Sequence, residues 1–410
     1  MFKENVRPYV VLTSSTFSFT MCFMVWMMFA VIGIPIKNHL HLTETEFGIL
    51  TALPVLSGSL IRIPLGIWTD RFGGRIVFFI LMLCTVIPIW LLQYATSFWQ
   101  FLVIGLFVGL AGGSFSVGTP YVARWFSRDR QGLAMGIYGA GNAGAALNKL
   151  IAPSIVLAYG WQMVANVYSA VMLFTAILFF FFSYSKPEHL VSAKKTSLKE
   201  QLALMKNPAV LRYCQYYSVV FGGYVALSLW MVHYFQDEYH FKLTEAAFLA
   251  ACFSLPGGVL RALGGWLSDK FGAYKITWAV MWVCWGVFFI LSYPQTQMVI
   301  TTVSGLLHLN IGINAFFFTI LLFVAGVAMA IGKASVFKFV ADDFPDDIGT
   351  VSGVVGLAGG IGGFLLPIMF GLLVDFTGIR SSSFMLLFGT VSVSLIWMHF
   401  SFKALQHKSR

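Results

Sequence analysis

This chain carries too little charge to be dissolved in water over most of its surface. Only 10% of its 410 residues are Asp, Glu, Lys or Arg, against about 25% in soluble globular domains. Its mean hydropathy is +0.82. Acidic residues are the scarcer kind, 16 against 26 basic ones, and none falls in the middle of an apolar run. Cysteine is scarce as well. Cys22, Cys84, Cys214, Cys252 and Cys284 lie in or near apolar stretches without CxxC spacing, which argues against a disulfide framework and a zinc site and leaves packing as their role. No HExxH, no GxSxG and no nucleophile–base pair occurs, so the reactive constellation of a membrane enzyme is missing. Gly139–Gly144 spells GxGxxG, but inside an apolar run with no preceding strand. Gly326–Ser335 imitates a phosphate loop with one residue too many and with Ala334 where Ser or Thr is required. Both are false matches.

Long apolar runs are what the sequence has instead. A helix needs about 20 residues to cross a bilayer, and lipid offers the backbone no hydrogen-bond partner, so repeated runs of that length mean helices. The alternation of a porin strand is absent. The first run, 9–36, exceeds the core of a signal peptide and lacks a small-residue cleavage site, so it reads as the first span. Five more follow at 47–68, 76–95, 98–126, 132–157 and 163–184. A polar, Lys-rich linker covers 185–207, and six further spans are expected at 209–235, 245–268, 276–292, 313–340, 348–374 and 380–402. The fold class is an all-α membrane protein of twelve helices in two six-helix halves, 1–184 and 208–410. The partly apolar stretch 295–314 is expected as a long external loop.

Orientation follows from the loop cations. With both termini in the cytoplasm, 19 Lys and Arg fall inside and three outside (Lys37, Lys242, Arg380), the sense of the positive-inside rule. The basic balance therefore reports topology, and nucleic acid is not an expected partner.

The two halves echo each other at a distance of 199 residues. Gly66–Arg75 reads GIWTDRFGGR, and Gly265–Lys275 reads GWLSDKFGAYK. Asp70, Arg71 and Arg75 in the first copy, and Asp269 and Lys270 in the second, form a loop motif after the second span of each half. The acidic residue could cap a neighbouring helix N-terminus while the cations hold the inward face.

Four Lys and Arg residues lie inside the spans away from their ends, Arg62, Lys149, Arg261 and Lys333. A charge there costs about 2.5–3.5 kcal/mol even on insertion scales, which marks each as functional. Arg62 and Arg261 precede Asp70 and Asp269 by eight residues, about 12 Å of helix. That is close to mid-depth, too far for a side chain to reach the surface. A pseudo-twofold would aim both at one point. With no intramembrane carboxylate available, a ligand anion is the economical counter-charge, and a guanidinium can grip a planar oxyanion with two parallel hydrogen bonds. Lys149 could snorkel outward; Lys333 reads as mid-depth; either could serve as the titrating group of a proton-coupled cycle, as could His233. Span five (Gly136–Gly144) and span eleven (Gly353–Gly363) are rich in glycine, which lets helices pack closely. Asn142 offers an amide level with the arginines.

At these residues the chain resembles the nitrate/nitrite porter (NarK/NasA-type) family of the major facilitator superfamily. Both loop motifs, one Arg in spans two and eight, and two Gly-rich stretches carry the resemblance along essentially the whole chain. It implies two pseudo-symmetric halves with a site at the midplane. It also implies that Arg62 and Arg261 coordinate the anion, Asn142 is the signature amide, Phe115 and Phe221 are opposing walls, and Tyr217 adds a hydroxyl. Span eleven lacks the second signature Asn and carries Gly359-Gly360 there, so only backbone approach is expected. The implied protein is a multi-pass carrier of the bacterial cytoplasmic membrane, working as a monomer without cofactor, by alternating access. Nitrate and nitrite are the implied cargo, and proton symport or nitrate/nitrite antiport the mode. The alternative is a major facilitator carrier for another small or organic anion, which would want a wider, more polar cavity than this aromatic chain suggests. A channel would not need the duplicated loops.

Overall fold

The backbone has only itself to bond with in lipid, and the chain is helical almost throughout. The computed structural model describes residues 4–185, 206–345 and 348–408. The first half contains α1 (Arg7–Trp26), α2 (Phe29–Leu40), α3 (Glu44–Leu60), α4 (Arg62–Phe72), α5 (Gly74–Leu91), α6 (Phe98–Val108), α7 (Ser114–Ala123), α8 (Arg128–Gly139), α9 (Gly144–Tyr159) and α10 (Trp161–Phe182). The second contains α11 (Pro208–Tyr217), α12 (Gly223–Tyr239), α13 (Leu243–Val259), α14 (Arg261–Phe271), α15 (Ala273–Leu291), α16 (Ala315–Asp343), α17 (Ile348–Thr377) and α18 (Ser382–Lys408). Among the described residues, ten helical runs are long and apolar enough to cross a membrane, and the bent pair α13–α14 makes an eleventh. The remaining expected span, 132–157, is occupied by α8, a 3₁₀ turn at Ala140–Ala143, and α9. Of the linker expected over 185–207, residues 186–205 lie outside the described residues.

The stretch 295–314 is not the loop the sequence suggested. It is a β-hairpin, β1 (Thr296–Thr302) antiparallel to β2 (Gly305–Ile311), with Met298 opposite Leu309 and Ile300 opposite Leu307. Only the membrane part is all-α. Gly305 has φ +127°, a conformation side chains avoid.

The 199-residue echo is an echo in space. Each second span breaks one residue before its arginine, at Ile61 and at Leu260. Pro64 explains the first break, because it has no N–H to offer the Leu60 carbonyl. In the second half Pro256, Gly257 and Gly258 precede the break, and the helix turns by 47°. Thr69 and Ser268 donate to the carbonyls of Leu65 and Gly264, both at 2.7 Å. Within both motifs the helix stops at a glycine of positive φ, Gly73 at +85° after α4 and Gly272 at +87° after α14.

The halves meet through their glycine-rich spans. α17 lies along α3, so close that a Cβ on Gly360 would sit 2.0 Å from Ser59 Oγ. α9 and the turn before it lie along α13, where a Cβ on Gly258 would sit 2.6 Å from the Ala143 amide nitrogen. Each half thus grips the arginine-bearing span of the other.

Candidate binding cavity

Interruptions of the α-helix converge midway along the bundle. Besides the breaks before Arg62 and Arg261, the first span breaks after Trp26, and the chain takes a 3₁₀ turn at Gly109–Gly113, another at Ala140–Ala143, and a π turn at Ser218–Gly222. Such departures re-aim side chains and commonly mark functional positions. Here they surround one small cavity of about 10 Å³, lined by Phe19, Phe23, Arg62, Gly112, Phe115, Asn142, Tyr217, Phe221 and Arg261. That is room on the scale of one water molecule. All six residues expected at the site, drawn from five spans, are brought together here.

Arg62 lies between two rings, with its guanidinium carbon 5.8 Å from the Trp26 centroid and 5.4 Å from that of Phe221. Arg261 is placed likewise, 5.1 Å from Phe115 and 5.4 Å from Phe337. Phe115 and Phe221 are therefore platforms for the two cations as much as walls. Stacking of this kind favours the guanidinium plane. Tyr217 stacks on Phe221 at 5.1 Å, with the rings 6° from parallel. Gly139 makes room for Arg261, whose Cδ would stand 3.2 Å from a Cβ there.

Neither arginine has an acidic partner among the described residues. Arg62 Nη1 donates to the Gly356 carbonyl of the other half at 3.3 Å, so the backbone approach expected from span eleven falls at Gly356, ahead of Gly359-Gly360. Gly359 instead receives the Tyr217 ring. Two buried donors at the cavity have no partner, Nε of Arg62 and Nδ2 of Asn142. An unmade hydrogen bond in such a place costs about 1–3 kcal/mol, more for a charged group.

The lysines do not line the cavity. Lys149 is 1% exposed, which corrects the expectation that it could snorkel outward. Its ammonium donates to Ser254 Oγ of the other half at 2.8 Å and to the Ala145 carbonyl at 3.2 Å. Lys333 donates to the Gly257 carbonyl at 2.5 Å and sits 3.5 Å above the Tyr224 ring. Tyr224 and Ser228 both meet Ser254, so the two lysines belong to one buried polar network joining the halves.

At the motif loops, Asp70 pairs with Arg124 and, among the described residues, accepts from no helix N-terminus. Asp269 pairs with Lys338 at 3.4 Å, and Lys338 with Asp342 at 2.9 Å. Arg75 donates to Ser183 Oγ and to the Phe180 carbonyl. Arg71 and Lys270 lie over aromatic rings beside them, Phe72 for the first, Trp266 and Phe271 for the second. His233 is remote from these loops and bonds Glu44.

Phe19, Phe23, Trp26 and Phe337 were missed by sequence reasoning. The aromatics had no distinguishing signal among 41 Phe. Trp26 had one of its own, a polar handle that must find a partner when buried; its indole donates to the Pro54 carbonyl at 2.8 Å.

Membrane helices in two matching halves, arranged around a central cavity, define a membrane transport protein. Residues 15–318 match the Major Facilitator Superfamily. The chain is 36% identical to "Probable nitrate/nitrite antiporter NarK1" of Thermus thermophilus, over 100% of this chain and 95% of that protein. It is 32% identical to "Probable nitrate transporter NarT" of Staphylococcus carnosus, covering 94% and 95%, and 28% identical to "Nitrite extrusion protein" of Bacillus subtilis, covering 98% of each. A bacterial homologue of the human lysosomal transporter Spinster, solved in an inward-facing and occupied conformation, aligns over 98% of both chains with a TM-score of 0.74. At 16% identity that likeness is one of fold. The chain belongs to the major facilitator superfamily and, within it, to the nitrate/nitrite porter family; it is a transporter and not an enzyme.

Proposed function

We propose that this protein is a secondary active transporter that moves nitrate, nitrite or both across the bacterial cytoplasmic membrane, with Arg62 and Arg261 clamping the anion. One observation carries the reading. Two guanidiniums from equivalent helix breaks face a cavity whose lining holds no carboxylate, and two buried donors there, Arg62 Nε and Asn142 Nδ2, have no partner. A planar oxyanion supplies negative charge and in-plane acceptors together. Asn142 and the Tyr217 hydroxyl add donors, and the aromatic faces favour a flat, small solute, for which the water-sized cavity widens as the halves move. The relatives' names point to the same cargo.

The motif loops face the cytoplasm in this reading, as do both termini, and the protein works as a monomer. Bound anion screens Arg62 from Arg261 and lets the halves close; the empty site resists closure because the like charges repel, so futile cycling is suppressed. Lys149 and Lys333 are the candidate groups for proton coupling; exchange of nitrate for nitrite needs neither.

Purified protein in liposomes is expected to take up labelled nitrate. Liposomes preloaded with nitrite, compared with liposomes under an inward proton gradient, separate exchange from symport. Failure to move either anion under both conditions, with flux of an organic anion instead, overturns the cargo.

A further inference from the structure

The end of the bundle opposite the motif loops carries a cluster of titratable groups that anion binding does not use. Glu44 opens α3 in the first half and meets His233 of α12 in the second, Oε2 to Nε2 at 2.6 Å. The other oxygen of Glu44 accepts from Lys37 Nζ at 2.8 Å. The same imidazole nitrogen lies 3.4 Å from Asp237 Oδ2, one turn along α12. Arg380 stands 3.9 Å from Asp237 and 3.3 Å from Glu238. Asp375, at the end of α17, accepts from the amides of Glu44 and Thr45 and from the Thr45 hydroxyl. The rings of Phe47 and Trp230 cover the imidazole, their centroids 4.6 and 5.6 Å from its own.

These contacts lie where the two halves touch most tightly at this end. A Cβ on Gly48 would sit 2.5 Å from the Pro367 carbonyl oxygen, and one on Gly371 2.2 Å from that of Glu44. Four carboxylates (Glu44, Asp237, Glu238, Asp375) face two basic side chains (Lys37, Arg380) around His233. A neutral imidazole leaves the excess of negative charge at the seam. An imidazolium reduces it and places a positive group of the second half against a carboxylate of the first, in a setting partly shielded from water by aromatic rings.

We propose that Glu44 and His233 form a proton-operated latch on the external gate. With His233 protonated, the ion pair across the halves holds the external side shut, and loss of that proton releases it. The proposal rests on the alternating-access reading with the motif loops inside, and it gives the outward-opening step a pH dependence of its own.

Spin labels at Asn38→Cys and Thr377→Cys, exposed positions of opposite halves at this end, report the gate distance in lipid nanodiscs. Cys84→Ser and Cys252→Ala remove the native thiols that are not buried. No nitrate or nitrite is present, and EDTA is included because Glu44, His233 and Asp237 lie close enough together to hold a metal. The short-distance population is expected to fall by roughly half or more as the pH is raised from mildly acidic to alkaline. His233→Gln should abolish the pH dependence and enlarge the long-distance population, and Glu44→Gln, which keeps the imidazole, should do the same. His233→Lys should restore the short distance and hold it flat with pH. A flat curve in the unsubstituted gate overturns the latch, and so does either Gln variant that keeps the original curve. Because the distance is read without anion, the result stands apart from whether nitrate is the cargo.

Discussion

A guanidinium between aromatic rings keeps its charge and its plane while losing much of its water. Arg62 and Arg261 are held in this way from opposite halves, and among the described residues neither has an acidic partner. Lysine at either position preserves charge and discards the fork, so Arg62→Lys and Arg261→Lys should each lower kcat/KM for nitrate uptake about 10- to 100-fold, the scale of one charge-assisted hydrogen bond. Unchanged uptake in liposomes would remove bidentate recognition. Asn142→Leu deletes a single neutral donor and should raise KM several-fold with a smaller change in kcat. These two residue types were legible in the sequence because each is anomalous in its setting: an intramembrane cation demands a counter-charge, and an amide stands out in a helix of small residues. Phe19, Phe23 and Phe337 were not legible, since an aromatic at a cavity and one in a packed core carry the same letter.

At the scale of the helix, the informative features are interruptions. The sequence shows Pro64 and Pro256 and the glycine runs, and from them a weakened helix is foreseeable. The π turn at Ser218–Gly222 has no such mark. It arises where Gly222 is pressed against the backbone of Gly359 and Gly363, a tertiary cause that a local pattern cannot display. The same close approach makes the glycine contacts sensitive. Gly48→Ala puts a methyl against the Pro367 carbonyl, and overpacking there should cost about 1–3 kcal/mol in the externally closed state. The expected outcome is about a tenfold or greater loss of exchange rate with the fold retained, measured as nitrate/nitrite counterflow beside thermal unfolding in detergent. A matching loss of thermal stability would assign the glycine to folding and not to the switch.

Across the whole molecule, the duplication was readable from the two motif loops and the packing between halves was not. The repeat says that the halves are alike; only the structure shows α17 seated along α3 and α13 along α9. The buried lysines belong to this scale, for Lys149 donates across the seam to Ser254. Lys149→Met and Lys333→Met should spare nitrate/nitrite exchange and remove uptake driven by an inward proton gradient, if either carries the coupling proton. Equal loss of both modes, measured side by side in liposomes, would show the network to be a scaffold.

The hairpin β1–β2 offers a handle. Its tip residue Val303 is fully exposed, and the whole ribbon, 294–314, contains no Asp, Glu, Lys or Arg. A protease site or epitope inserted between Val303 and Ser304 should therefore leave transport intact. In sealed cells it should be cut or stained from outside only. Such a reporter would assign the sidedness of every other segment at once, because each crossing inverts the one before it.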